Sequence, residues 1–140
     1  MKICIIGSGA YGISLASRLI KNNHEVVCYS NNKEEVNILT KERKSDKLKG
    51  YKVPKEINFT TNIKSAIKGS VLVIFALPAV ALDEVTKKSS KYITENMHIV
   101  IATKGIENNT CAFLNEIVER NINTNKIAII SGPTFAVDIK

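Results

Sequence analysis

Tryptophan is absent from the 140 residues, and proline and cysteine are scarce, with three of each. Cys4, Cys28 and Cys111 are odd in number and widely spaced, with no Cys-x-x-Cys pair, so neither a disulfide framework nor a zinc pattern is indicated. Cys4 and Cys28 fall in apolar β-like runs, where reduced cysteine acts as a small hydrophobe. No window approaches the roughly 20 apolar residues that span a bilayer. The apolar run Ile3–Ile6 ends at Gly7, too early for a secretory signal. Membrane insertion and export are excluded as first readings, and a reducing cytoplasm is the expected location.

Arginine is scarce too. Only Arg18, Arg43 and Arg120 accompany 17 lysines in the net charge of +7. Nucleic-acid binders exploit arginine's planar fork and interleave aromatics, and four Tyr with four Phe give little of either. Most of the lysine reads as solvated surface, part of it attracting an anionic ligand. A basic nucleic-acid module using the stretch 41–55 stays open; salt-dependent retention would support it. The 44% hydrophobic content, against 24% charged, is that of a chain with a packed core.

Short β-like runs alternate with helical stretches, which implies a parallel sheet with crossover helices. Strands are expected at 2–6, 25–29, 57–60, 71–76, 98–103 and 126–131. Helices are expected at 10–22, 32–44, 62–68, 79–91 and 111–122. The runs 2–6, 71–76 and 126–131 are almost wholly apolar, as in strands covered on both faces. Residues 41–55 carry seven basic and two acidic side chains, and Pro54 marks a loop or flap. Six strands in this sequence fit a complete doubly wound α/β sheet of order 3-2-1-4-5-6, occupying 1–140 as one dinucleotide-binding domain.

Gly7-Ser8-Gly9-Ala10-Tyr11-Gly12 puts Gly-x-Gly-x-x-Gly directly between the first strand and a helix. Gly7 makes the tight turn, Gly9 lets backbone approach a pyrophosphate, and Gly12 permits close helix–strand packing. The helix N-terminus favours the diphosphate. A carboxylate selecting NAD is expected about 20 residues on, at the second strand's tip. That tip reads Cys28-Tyr29-Ser30-Asn31-Asn32-Lys33, with no acid before Glu34. Ser30, Asn31 and Lys33 can donate to a 2′-phosphate, so NADPH is expected to bind at least as tightly as NADH.

Three further strand ends face the same side, where ligands collect. Phe75-Ala76-Leu77-Pro78 offers a small apolar wall. Lys104 leaves the fifth strand straight into Gly105, placed to orient a carbonyl or phosphate and to stabilise charge developing on oxygen. Gly132 and Thr134 can add a backbone N–H and a hydroxyl; as a turn and a helix cap they are equally ordinary.

Taken together, the glycine turn, Ala102-Thr103-Lys104-Gly105-Ile106-Glu107 and Ser131-Gly132-Pro133-Thr134-Phe135-Ala136 resemble the bacterial NAD(P)-dependent glycerol-3-phosphate dehydrogenases, in order and over the whole chain. The resemblance implies a Rossmann fold with NAD or NADP contacts at Ala10, Tyr11, Asn31 and Ala136. It implies that Lys104 touches both cofactor and substrate, and that Gly132 and Thr134 touch substrate. The implied reaction reduces dihydroxyacetone phosphate to sn-glycerol 3-phosphate in cytoplasmic phospholipid synthesis. Val137 departs from the lysine usual in the family. The family continues into a helical domain carrying its general acid/base lysine; that domain is absent from a chain ending at Lys140, and the role is not transferred to Lys104. The chain alone is therefore expected to bind dinucleotide with negligible turnover, and to self-associate through apolar surface. A stand-alone regulatory dinucleotide-binding module is the competing expectation, though it gives no reason for the second and third motifs.

Overall fold

The computed structural model describes residues 1–107, 110–132 and 134–139. Pro133 of the third motif and the terminal Lys140 lie outside the described residues. Six parallel strands form one sheet: β1 (Lys2–Ile6), β2 (Glu25–Tyr29), β3 (Asn58–Thr60), β4 (Leu72–Phe75), β5 (His98–Ile101) and β6 (Ile127–Ile129). Their order is β3-β2-β1-β4-β5-β6, as the spacing predicts. The connections are α1 (Ala10–Lys21), α2 (Lys33–Lys41), α3 (Ile63–Ile67), α4 (Ala79–Ser90) and α5 (Leu114–Asn121). A short α6 (Ala136–Ile139), unforeseen from sequence, follows β6.

The sheet separates two apolar layers, because successive strand side chains point to opposite faces. On one face Cys4, Ile6, Val73, Phe75, Ile99 and Ile101 pack against Leu82 of α4 with Ile117 and Val118 of α5. On the other, Ile3, Ile5, Val26, Cys28 and Ile74 meet Ile13 and Ala16 of α1 and Leu39 of α2. Burying each large aliphatic side chain contributes roughly 1.5–3 kcal/mol. Cys4 and Cys28 behave as hydrophobes here, and burial pushes the Cys4 thiol up to about 12.

Two expectations change. The run 126–131 is not covered on both faces: Ile129 is 52% exposed and Ile130 38%. The reason is position, since β6 is one of the sheet's two outer strands and, among the described residues, pairs with β5 alone. The basic stretch 41–55 is a loop, but an anchored one. Arg43 Nη1 donates to the carbonyls of Pro54 (3.1 Å) and Ile57 (2.8 Å), while Leu48, Val53 and Ile57 are buried in the α1-side core.

Candidate functional site

The glycine turn extends the sheet rather than hanging from it. The Gly7 N–H donates to the Tyr29 carbonyl at 2.9 Å. Gly7 has φ +126°, and a Cβ there would lie 2.1 Å from the Ala76 carbonyl oxygen at the end of β4. A Cβ on Gly12 would lie 2.4 Å from the Gly7 oxygen, against 3.6 Å from the β1 side chain of Ile5. Gly12 thus closes the turn upon itself more than it packs helix on strand. Gly9 differs: a Cβ would meet nothing within 4 Å. It caps α1 without a side-chain hydrogen bond, and the first turn carries no acid. The helix's first N–H groups and its positive dipole end therefore face open space at Gly9, a cradle suited to a diphosphate.

A groove crosses the sheet at this point, where the chain's strand order reverses between β1 and β4. One half, about 390 Å³, runs from the glycine turn to Asn31. The other, about 400 Å³, runs to Lys104 and Thr134. Both share Gly9, Ala76, Leu77 and Pro78 as floor.

In the first half a carboxylate does reach the β2 tip, which corrects the expectation of none. Glu35 Oε2 accepts hydrogen bonds from Ser8 Oγ (2.7 Å) and Ser30 Oγ (2.8 Å), and Oε1 from Lys47 Nζ (2.5 Å). Burial would raise its pKa, but the bonds from Lys47, Ser8 and Ser30 outweigh this and hold the carboxyl below its ordinary value. Helix geometry explains the placement. Asn32 caps α2 by accepting the Glu35 N–H at 3.0 Å, so Glu35 is the third helical residue and its side chain folds back over the strand tip. The signal was legible as Asn-x-x-Glu, a capping-box spacing. The cations lining this half are Lys47 from the basic loop and Lys88 of α4; Lys33 is not in the lining.

In the second half, Lys104 Nζ donates to the Thr134 carbonyl (2.7 Å) and lies 5.3 Å from the Tyr11 ring centroid. It also reaches the Gly132 carbonyl at 3.4 Å. The Tyr11 and Thr134 hydroxyls share a 3.2 Å hydrogen bond. Ser14 of α1 donates to the Ala136 carbonyl at 2.7 Å, tying α6 back to α1. Ala10, Tyr11, Lys104, Thr134 and Ala136 thus converge around one cavity with Gly9. Gly132 stands outside this lining and meets Lys104 through its carbonyl, while Gly7 and Asn31 belong to the other half and Gly12 lies buried beneath the turn.

Sequence reading missed two supports. Thr103 Oγ1 donates to the Phe75 carbonyl at 3.3 Å and accepts the Leu77 N–H at 3.4 Å, joining the tips of β4 and β5. Arg120 Nη2 bridges Glu107 (2.6 Å) and Asp83 (2.9 Å), fixing the far end of the Lys104 loop to α4 and α5. Hydrogen bonds from Lys87, Asn121 and Arg120 hold the Asp83 carboxyl well below its ordinary range.

A doubly wound sheet with a glycine turn at its switch point is the architecture of the dinucleotide-binding domains. Comparison with known proteins makes this specific: residues 2–140 match the family NAD-dependent glycerol-3-phosphate dehydrogenase N-terminus, and the chain belongs to that family. A glycerol-3-phosphate dehydrogenase [NAD(P)+] of Agathobacter rectalis is 33% identical over 139 residues, covering 99% of this chain and 41% of the relative. One from Fusobacterium nucleatum is also 33% identical, over 99% of this chain and 42% of the relative. The crystal structure of glycerol-3-phosphate dehydrogenase from Coxiella burnetii superposes with a TM-score of 0.90 at 25% identity, over 99% of this chain and 42% of that one. The yeast enzyme, at 17% identity and TM-score 0.84, shares the fold. The chain spans about two-fifths of the length of the curated relatives it matches.

Proposed function

We propose that residues 1–140 form the cofactor half of an enzyme interconverting dihydroxyacetone phosphate and sn-glycerol 3-phosphate in the cytoplasm. Supporting this reading above all is one observation: Gly9, Lys104 and Thr134, contributed by three separate strand ends, line a single cavity. Gly7, Gly9 and Gly12 form the diphosphate turn, with Ala10, Tyr11, Asn31 and Ala136 beside it. When bound, the reduced nicotinamide supplies the hydride that the ketone carbon receives. Lys104 carries an exposed ammonium, suited to orient the substrate and to stabilise negative charge on its oxygen. The Thr134 hydroxyl and the Gly132 backbone complete the substrate's polar surroundings. None of these groups is assigned as the general acid.

Calorimetric titration of the chain with NADH and NADPH tests the cofactor role, and binding of at least one is expected. The Lys104→Met chain should retain the fold while losing contact with both ligands. Negligible NAD(P)H oxidation with dihydroxyacetone phosphate is expected from the 140 residues alone; rapid turnover would overturn the division of labour proposed here. Exposed Phe113, Ile129, Phe135 and Val137 support self-association into homo-oligomers, which light scattering measures.

A further inference from the structure

The pairing of Glu35 with Lys47 is more than a surface salt bridge, because both residues line the first half of the groove beside Gly7, Gly9 and Asn31. Two other features set the pair apart. Glu35 is held independently of Lys47, since its Oε2 accepts from both Ser8 and Ser30, themselves buried. Removing the ammonium leaves the carboxylate in place. Lys47, by contrast, is tethered at its backbone, and Glu35 is the partner its exposed ammonium holds. Its neighbour Leu48 is 3% exposed in the core, whereas the Lys47 side chain is 54% exposed. A second opening of about 310 Å³, lined by Asn32, Lys44 and Ser45, lies on the other side of the same two residues. The Lys47 side chain therefore stands in a wall between two open spaces, with room to change partner.

The chemistry of that wall differs with its state. A carboxylate at this place accepts the 2′- and 3′-hydroxyls of an adenosine ribose and repels a 2′-phosphate. A lysine ammonium at the same place attracts the phosphate as a compact point charge. With the two paired at 2.5 Å, the wall is neutral and presents both options. Resting on the reading of the groove as a dinucleotide site, we infer that Glu35 and Lys47 form a two-position selector that admits both NADH and NADPH. For the unphosphorylated ribose, Lys47 stays on Oε1, whose remaining lone pair accepts a ribose hydroxyl, Oε2 being filled by Ser8 and Ser30. For the phosphorylated ribose, Lys47 leaves Glu35 for the 2′-phosphate, and the two serines retain the carboxylate. Lys88, the other cation lining this half, is engaged with the Tyr29 hydroxyl at 3.3 Å and stands on α4. It is the control for nonspecific attraction.

The test is calorimetric titration of the unaltered chain and of the Lys47→Met, Glu35→Gln and Lys88→Met variants with NADH and with NADPH. Loss of one charge-assisted contact should weaken NADPH binding to Lys47→Met about tenfold, with NADH affinity changed less than about twofold. Glu35→Gln should shift the ratio the opposite way, towards NADPH. Lys88→Met should move both affinities together or leave them alone. Equal weakening of both dinucleotides by Lys47→Met, or an unchanged ratio in both selector variants, overturns the inference and leaves the cofactor reading standing. Failure of the unaltered chain to bind either dinucleotide overturns both. Thermal melts identify any variant that has lost its fold, and the conservative Lys47→Arg chain, which keeps the charge, should retain NADPH binding where Lys47→Met does not.

Discussion

The two halves of the groove are built on different principles. Around β1 and β2 the walls are closed by the protein's own core: Ser8 and Ser30 are buried, Glu35 is held from three directions, and the long basic loop is pinned by Arg43. Around β5 and β6 Thr103 is buried but Lys104 and Thr134 are exposed, and large apolar side chains face outward, Phe135 at 70% and Val137 at 58%. The first half has the rigidity of an interior. The second has the composition of an interface. Geometry in the glycine-turn half is fixed internally, while the other half presents Lys104 and Thr134 to solvent.

The sharpest way to break this contrast is at the glycine turn. Gly7→Ala sets a Cβ against the Ala76 carbonyl and forces a non-glycine residue into positive φ, and should destabilise the fold by about 3 kcal/mol or more in urea titrations. Gly9→Ala is the counterpart. With open space around it, stability should fall by no more than about 1 kcal/mol, the loss of a good N-cap. Its dinucleotide affinity should nevertheless fall several-fold, because the added methyl occupies the cradle. If the two substitutions destabilise equally, the distinction between a structural and a ligand-facing glycine is wrong.

Acid titration separates the halves more gently. Asp83 and Glu35 are both held below their ordinary pKa, so each contributes stability that is complete above the unfolded value of about 4. That contribution is lost as pH falls from there through the lowered folded value. The urea midpoint should thus drop with acidification below about pH 4. Asp83→Asn should flatten part of this dependence through the α4–α5 side, and Glu35→Gln another part through the cofactor side. The smallest effect concerns the edge: amides of β6, and of Ile130 just beyond it on the Ile101 carbonyl, should exchange hydrogen sooner than those of β1. Slower exchange at β6 would contradict its exposure.

Strand order and the glycine turn were legible because period-two and continuous apolar runs report local geometry directly. Ile3–Ile6 and Val73–Phe75 are apolar and buried, as read. Ile127–Ile130 carries the same apolar signature without the burial, because the order 3-2-1-4-5-6 sets this strand at an edge, which an apolar run by itself does not report. At the site, Lys104 and Thr134 could be found because each lies immediately beyond its strand. Glu35 is not legible at the β2 tip itself, because the carboxylate arrives from the first turn of the next helix. Lys47 could not be foreseen at all; its place depends on how a sixteen-residue connection, 42–57, folds back through Arg43 and Leu48.

The Gly7 amide, bonded to Tyr29 as though it were one more rung of the β1–β2 ladder, has a thermodynamic corollary. A receptor whose contour is set before its guest arrives forfeits little chain freedom on association, so the heat of docking should translate into affinity with only a small entropic offset.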